Sequence, residues 1–357
     1  MTPDTTLAQA LLQAVRAQHF ETTRDRWAQH APVAAFPSID LAVVRFAPGA
    51  SPQAANVLFS REHPQGLTAE FSGGFGSVSN IRFCQDVQDA QGDSFAWAPG
   101  ADWSRIAFPP LFGQGAVRMV APYPASLLKL MVAVGVGLAV DAGRCAWPAE
   151  LEPMITVSSN EATDVCVALL HRLRWVDTLQ HTLRSWGLHT LQLNDTTPQG
   201  GWRNADGSGV GHIHMTAWDT VRLLWLLDAD APPPPWLAPG TPTLSAAVRD
   251  HLRAVLARQE LDEILSSGRL LDAVNPVPGW LPGLPDAPAF AHKTGTTDNH
   301  ASDAGIVKTA TAHYLVAVLT SLGRRYAADD PPHDRCATTW RLPALGAAIH
   351  HLVETLP

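Results

Sequence analysis

A serine and a lysine lie three residues apart at Ser126 and Lys129, at the start of an apolar run that reaches Val140. Residues i and i+3 share one face of a helix, so this spacing predicts that the amine lies beside the hydroxyl. The serine would sit near the positive end of the helix dipole, where a forming alkoxide is stabilised. Apolar neighbours are expected to desolvate the ammonium and favour the neutral amine, which can accept the serine proton. The pair predicts a serine nucleophile with a lysine base.

Lysine is scarce in this chain, which makes each one informative. Lysine occurs only as Lys129, Lys293 and Lys308, whereas every other cationic side chain of the Lys and Arg type is arginine. Arginine stays protonated at ordinary pH and cannot act as a base, so a retained lysine points to a task that needs proton loss. Two of the three lysines fall in motifs that could share one site.

The second motif is Ser158-Ser159-Asn160, which directly precedes a predicted helix. In an extended segment Ser158 and Asn160 would point the same way, so a hydroxyl and an amide could relay a proton and hold the amide of an acyl group. Ser158 followed by Glu161 also fits a capping box that opens the helix. The catalytic and the structural interpretations both stay open at this stage.

The third motif is Lys293-Thr294-Gly295, which lies on a predicted strand entered through Phe290. Gly295 would let a ligand approach the strand backbone closely. Lys293 and Thr294 offer a cation and a hydroxyl to a substrate carboxylate. This motif predicts an anion-holding strand.

Ser-x-x-Lys, Ser-x-Asn and Lys-Thr-Gly, in this order on a helix start, a loop and a strand, form the motif set of the penicillin-recognising enzymes. Over roughly residues 120–325 the chain resembles class A β-lactamases, and its segments MITVSSNEATD and HKTGTT are similar to the corresponding family segments. The resemblance implies that Ser126 is acylated, that Lys129 is its base, and that Ser158 passes a proton to the leaving nitrogen.

The resemblance also implies a set of substrate contacts. Asn160 would bind the substrate amide, while Lys293 and Thr294 would hold its carboxylate beside Gly295. The backbone amides of Ser126 and Thr296 would form the oxyanion hole. The implied partner is a small-molecule or peptide substrate, with no metal and no cofactor.

One departure from the family concerns release of the acyl group. Class A enzymes deacylate with a Glu followed by Pro, but here the segment LQLNDTTPQGG has Thr197 before its proline, and no Glu occurs between Glu161 and Glu260. The water-activating carboxylate is then either absent or supplied by Asp195. We therefore expect β-lactams to acylate the enzyme and to leave it slowly or not at all.

The pattern along the chain predicts the elements that position these motifs. Strand-like runs at 39–46 and 314–319 enclose helical runs that include 126–140 and 244–265, and an amphipathic helix closes the chain at 342–356. This order predicts an α+β fold of the β-lactamase/transpeptidase type, with an antiparallel sheet flanked by helices plus an all-helical lobe. Its expected divisions are 1–120 (N-terminal helix and first strands), 121–285 (helical lobe) and 286–357 (closing strands and helix).

Composition excludes several classes of protein. A formal net charge of -8 and the lack of Lys or Arg runs argue against nucleic acid and anionic membranes as partners. No apolar stretch is long enough to predict a membrane span. The four scattered cysteines read as buried thiols. The first 20 residues read as an amphipathic helix rather than a signal peptide, which predicts a cytoplasmic protein, or a periplasmic one if the start site is misassigned.

Other functions remain open at this stage. His212 and His214 alternate along a strand-like segment and could bind a metal, although no third ligand lies close by in the sequence. A penicillin-binding D-alanyl peptidase, a cytosolic esterase and a non-catalytic ligand-binding homologue also fit parts of the pattern. Lys129 argues against the last of these, because a binding pocket does not need a base beside a serine.

Overall fold

The structure is a computed structural model that describes residues 3–87, 94, 96–97, 100–201, 212–266, 290–329, 333–334 and 336–356. Its helices are α1 (Pro3–Arg16), α2 (Lys129–Asp141), α3 (Leu151–Thr156), α4 (Asn160–Arg172), α5 (Val176–Ser185), α6 (Ala217–Leu227), α7 (Ala246–Leu256) and α8 (Arg341–Thr355). Its strands are β1 (Arg24–Asp25), β2 (Ala31–Pro32), β3 (Ile39–Arg45), β4 (Gln53–Phe59), β5 (Leu67–Thr68), β6 (Phe71–Ser72), β7 (Ser77–Val78), β8 (Ile81–Cys84), β9 (Pro110–Phe112), β10 (Val117–Val120), β11 (Gln192–Leu193), β12 (Ile213–His214), β13 (Phe290–Thr296), β14 (Ala301–Lys308) and β15 (His313–Thr320).

The main sheet has six antiparallel strands in the order β13-β14-β15-β3-β4-β5. Its central strands are rich in β-branched and apolar residues and are buried on both faces, so they read as continuous apolar runs rather than as alternating ones. β13, the strand with Lys-Thr-Gly, forms one edge of this sheet. A second sheet of three short strands, β10-β8-β9, leads the chain towards Ser126.

The two faces of the main sheet carry separate hydrophobic cores. One core joins the sheet to α1 and α8 and contains Leu11, Tyr314 and Ile349. The other joins the opposite face to α6 and the helical lobe, and it contains Met131 and Trp218. Because successive side chains of a strand point to opposite faces, β13 places neighbouring residues in different surroundings.

Helix α2 runs through the middle of the helical lobe. Its residues from Lys129 to Gly137 are buried, which agrees with an almost uniformly apolar sequence. Gly135 and Gly137 let α5, α4 and α7 approach closely, since an added Cβ would lie 2.9 Å from Leu179 and 2.8 Å from Val248. The base expected from the sequence is therefore anchored on a helix that is buried over most of its length.

The α+β architecture with an antiparallel sheet and a helical lobe confirms the fold class predicted from the sequence. The single helix predicted over 244–265 is wrong: α7 ends at Leu256, and the chain turns away because the Glu260 amide donates to Thr156 O at 2.8 Å. The predicted helix over 126–140 begins as a 3-10 turn, Ala125–Leu128, and becomes α-helical only at Lys129.

We also find, in the described part of the chain, no helix with both the length and the apolar character needed to cross a membrane.

Candidate active site

The turn that carries Ser126 is held in a strained conformation against β13. Ala125 has a left-handed backbone with φ of 52°, which costs a residue with a Cβ about 1–3 kcal/mol. The hydroxyl of Ser302 on β14 donates to Pro124 O at 2.5 Å and so ties the turn to the sheet. Ser126 itself is partly exposed between buried neighbours. The turn thus presents the serine to solvent while fixing its backbone.

Gly295 allows β13 to lie directly beside that turn. A Cβ on Gly295 would lie 2.5 Å from Pro124 O, 2.6 Å from Ser302 Oγ and 2.7 Å from Leu127 N. Real Cβ atoms essentially never approach so closely, so only glycine fits this position. The role of Gly295 seen here is to bring the edge strand against the serine turn.

Lys129 lies near three oxygen atoms, two from Ser158 and one from Asn160, the first residue of α4. Its Nζ is 2.6 Å from Ser158 O, 3.0 Å from Ser158 Oγ and 2.9 Å from Asn160 Oδ1. The side chain is fully buried. The two motifs expected from the sequence therefore meet in space, and Lys129 lies within one helical turn of Ser126.

Lys293 reaches the same hydroxyl from the sheet. Its Nζ lies 3.0 Å from Ser158 Oγ and 2.8 Å from Thr294 O. Burial, followed by the nearby charge of Lys129, lowers the pKa of Lys293 well below its ordinary value, although Asp303 and Glu263 oppose this shift. Ser158 Oγ thus bridges two buried amines, an arrangement suited to proton transfer.

Ser158 adopts a left-handed backbone with φ of 57°, not the extended one expected from the sequence. The structure also assigns helix capping to its neighbour: Ser159 Oγ accepts from Ala162 N at 3.1 Å and donates to Glu161 Oε2 at 2.9 Å. The expected capping box starting at Ser158 is therefore wrong. With Ser159 as the cap, the Ser158 hydroxyl is available to the two lysines.

The remaining residues of the third motif follow on β13. Thr294 is buried opposite Asp303, and Thr296 is partly exposed opposite Ala301 at the end of the strand. Since β13 forms an edge of the sheet, the backbone near Thr296 lies where an extended ligand could pair with it. Sequence reasoning missed Ser302. Its position opposite Gly295 depends on the register of β13 and β14, which no local motif predicts.

The segment expected to carry a deacylating carboxylate forms a compact turn on α4. Thr197 N donates to Gly201 O at 2.7 Å, and Gly201 N donates back to Thr197 Oγ1 at 3.0 Å. Gly200 packs so closely that a Cβ there would lie 2.2 Å from Asp164 O. The Thr197 hydroxyl therefore stabilises its own turn.

Asp195, the other candidate for activating water, lies at the surface. Its side chain is 71% exposed, and its carboxylate is 3.7 Å from His212. Both residues line an open groove with His171 and Arg174 on the outer side of the helical lobe. This places Asp195 in solvent rather than in the buried cluster around Lys129.

The two histidines considered as metal ligands occupy different surroundings. His212 is 60% exposed, whereas His214 is on β12, and burial, followed by His212, lowers the pKa of His214 to about 4. Over the residues that the structure covers, no group of three or more His, Cys, Asp or Glu side chains could hold a metal ion. The four cysteines carry free thiols.

Comparison with known proteins identifies the family of this chain. The model of a β-lactamase enzyme family matches residues 149–335, which is more than half of the chain. The search of curated proteins found no match to this chain.

Similar solved structures include PBP-A, with a TM-score of 0.52 and 16% identity over 99% of this chain and 97% of that one. They also include a PBP-A variant in an acyl-enzyme complex with penicillin G, with a TM-score of 0.51 and 17% identity over 99% of this chain and 97% of that one. A β-lactamase from Sphaerobacter thermophilus has a TM-score of 0.51 and 16% identity over 98% of both chains. At such identities these structures establish the shared fold, and with the family match they confirm the expected resemblance: the chain belongs to the β-lactamase enzyme family.

Proposed function

We propose that this protein is a serine hydrolase that forms an acyl-enzyme at Ser126 with a β-lactam or a related amide or ester. The observation that carries the proposal is the convergence of Lys129 and Lys293 on Ser158 Oγ, at 3.0 Å each, behind the turn that presents Ser126. Burying two amines around one hydroxyl costs folding free energy, and titratable groups perturbed in this way cluster at functional sites. Family membership supports the same reaction class.

The surroundings of Lys129 suit both states of a base. As a neutral amine, Lys129 can donate its two N–H groups to Ser158 O and Asn160 Oδ1, and its lone pair is left to accept a proton. As an ammonium, it has three N–H groups, and Ser158 O, Ser158 Oγ and Asn160 Oδ1 all lie within hydrogen-bonding distance. A side chain whose contacts are satisfied before and after proton uptake can act as a base at little cost in reorganisation.

The reaction would proceed in balanced steps. Ser126 Oγ attacks the substrate carbonyl carbon while its proton passes to the neutral amine of Lys129. The negative charge on the carbonyl oxygen is held by the backbone amides of Ser126 and Thr296. The C–N bond of the substrate then breaks, its nitrogen takes the proton of Ser158 Oγ, and Lys129 returns a proton to Ser158.

Substrate contacts are assigned to the remaining motif residues. Asn160 would bind the amide next to the scissile bond, and Lys293 with Thr294 would hold a substrate carboxylate. Gly295 supports the oxyanion-hole assignment, since it brings the backbone of β13 to the serine turn. The substrate class implied is a small anionic acyl compound or peptide.

Deacylation is proposed to be slow or absent. The Thr197 hydroxyl is engaged in its own turn, and Asp195 is exposed beside His212, so neither is placed as a buried base. This favours a penicillin-binding peptidase or esterase as the second candidate, because such an enzyme can hold a β-lactam acyl group without hydrolysing it.

The test is covalent labelling with a fluorescent penicillin, followed by denaturing electrophoresis. Wild type should be labelled, Ser126→Ala should not, and Ser185→Ala, which alters an exposed serine at the end of α5, should match wild type. Equal labelling of Ser126→Ala by a fluorophosphonate probe would instead favour a binding protein. Rapid steady hydrolysis of nitrocefin would contradict slow deacylation.

A further inference from the structure

A buried histidine lies directly behind the Lys-Thr-Gly strand, between two carboxylates. His292 Nδ1 is 2.8 Å from Asp303 Oδ1 on β14, and His292 Nε2 is 3.0 Å from Asp262 Oδ1 in the segment after α7. The ring is fully buried and stacks on Phe290. Each ring nitrogen therefore faces an acceptor, and only the imidazolium has an N–H group for both.

We propose that His292 is a positioning residue for acylation, held as an imidazolium that fastens β13 to Asp303 and Asp262 so that Lys293 stays at Ser158. This inference rests on the proposed function, since it concerns the rate at which Ser126 is acylated. His292 itself is assigned no contact with substrate, because both of its ring nitrogens face carboxylates of the protein.

The segment 259–266 shows how this network reaches both sides of the site. Gln259 Nε2 donates to Ile155 O at 3.0 Å, and Glu260 N donates to Thr156 O at 2.8 Å, so the segment is fixed to the end of α3, just before Ser158. Leu265 N donates to Asp303 Oδ2 at 3.1 Å. One segment thus joins the helix end that precedes Ser158 to β14 and, through Asp262 and His292, to the strand that carries Lys293.

The local charges favour the imidazolium. Burial alone lowers the pKa of His292, but the charges and hydrogen bonds of Asp303 and Asp262 outweigh it and leave this pKa above its ordinary value. Lys293 adjoins His292 on the same strand, and Glu263 adjoins Asp262 in the segment after α7. The buried residues of α7 and α8 that face these layers carry no charge.

Loss of the ring proton should loosen the strand. A neutral imidazole has one N–H group, so one nitrogen lone pair would face a carboxylate at about hydrogen-bond distance, which repels. A shift of about 1 Å in groups that position reactants costs up to about 100-fold in rate. We therefore expect the acylation rate to fall at alkaline pH, with His292 as the titrating group.

The experiment measures the second-order rate of labelling by a fluorescent penicillin from pH 6 to pH 10. Asp262→Asn keeps the shape of its side chain but removes one negative charge, so the alkaline fall should move to lower pH by about one unit. His292→Asn should be labelled about 10-fold more slowly at pH 7 and should lack this fall. His350→Asn, on α8 behind the same sheet, is the matched control and should follow the wild-type profile.

A second readout tests the protonation state directly. In protein labelled with nitrogen-15 histidine, the resonances missing from His292→Asn belong to His292, and they should show two protonated ring nitrogens at pH 7. A neutral ring at pH 7 would overturn this inference alone. So would Asp262→Asn and His292→Asn variants that keep the wild-type rates and pH profiles, provided that penicillin labels the wild type. A wild type that penicillin does not label overturns the proposed function and with it the expected effect on rate.

Discussion

Replacing Gly295 with alanine tests whether close contact between β13 and the serine turn sets the reaction rate. The new Cβ would lie 2.5 Å from Pro124 O, whereas ordinary contacts begin at 3.4 Å, so strand and turn must separate by roughly 0.9 Å. Two of the three nearest atoms belong to the backbone and cannot rotate away. The strain should lower the free energy of unfolding by about 1–3 kcal/mol.

Acylation by the folded Gly295→Ala variant should also be strongly slowed. A displacement of roughly 1 Å between Ser126 and the β13 backbone separates the nucleophile from the proposed oxyanion site, which corresponds to a rate loss of about 100-fold. The assay is the second-order rate of labelling by a fluorescent penicillin, with urea unfolding measured on the same preparation.

Gly66→Ala is the matched control, since it overpacks a turn far along the sheet. Its Cβ would lie 2.5 Å from Phe59, and its φ of 77° adds strain, so it should also lose stability. Its labelling rate should equal that of wild type. If folded Gly295→Ala is labelled within about 3-fold of wild type, the reasoning that links this contact to the rate is refuted.

Two further substitutions give distinct outcomes. Lys129→Arg keeps the positive charge, but arginine cannot lose its proton, so the labelling rate should fall by about 1000-fold. Lys308→Arg alters a surface ion pair with Asp230 and should leave the labelling rate unchanged. Equal rates in the two variants would contradict the role of Lys129 as a base. Burial raises the pKa of Asp40 to about 6, so its protonated form stabilises the fold below about pH 4, and this contribution is lost as pH rises through 6. Asp40→Asn removes that dependence, so urea unfolding at pH 4 and pH 7 should show a wild-type-to-variant difference that changes by about 2 kcal/mol. A constant difference would contradict the assignment.

The motif residues could be predicted because their chemistry is local in sequence. Ser126 and Lys129 share one turn, and Lys293 with Gly295 share one strand, so spacing alone placed each pair. The order of motifs then indicated the fold, and the sheet and helical lobe confirm it. The structure brings Ser158 to both lysines, while the catalytic roles of these residues remain proposals.

Contacts that depend on tertiary structure could not be predicted from the sequence. Two adjacent serines fit the helix start equally well, and only backbone conformation shows that Ser159 caps α4 while Ser158 turns to the lysines. The end of α7 at Leu256 is set by a hydrogen bond to Thr156, about 100 residues earlier. His292 contacts Asp262, 30 residues earlier, and no local sequence pattern predicts this contact.

The most direct test of acylation at Ser126 is the intact mass of the protein after exposure to penicillin G. Wild type should gain the mass of one penicillin, keep it after excess drug is removed, and yield a peptide modified at Ser126. Ser126→Ala should gain nothing. An unmodified wild type, or an adduct of equal yield on Ser126→Ala, would contradict the account.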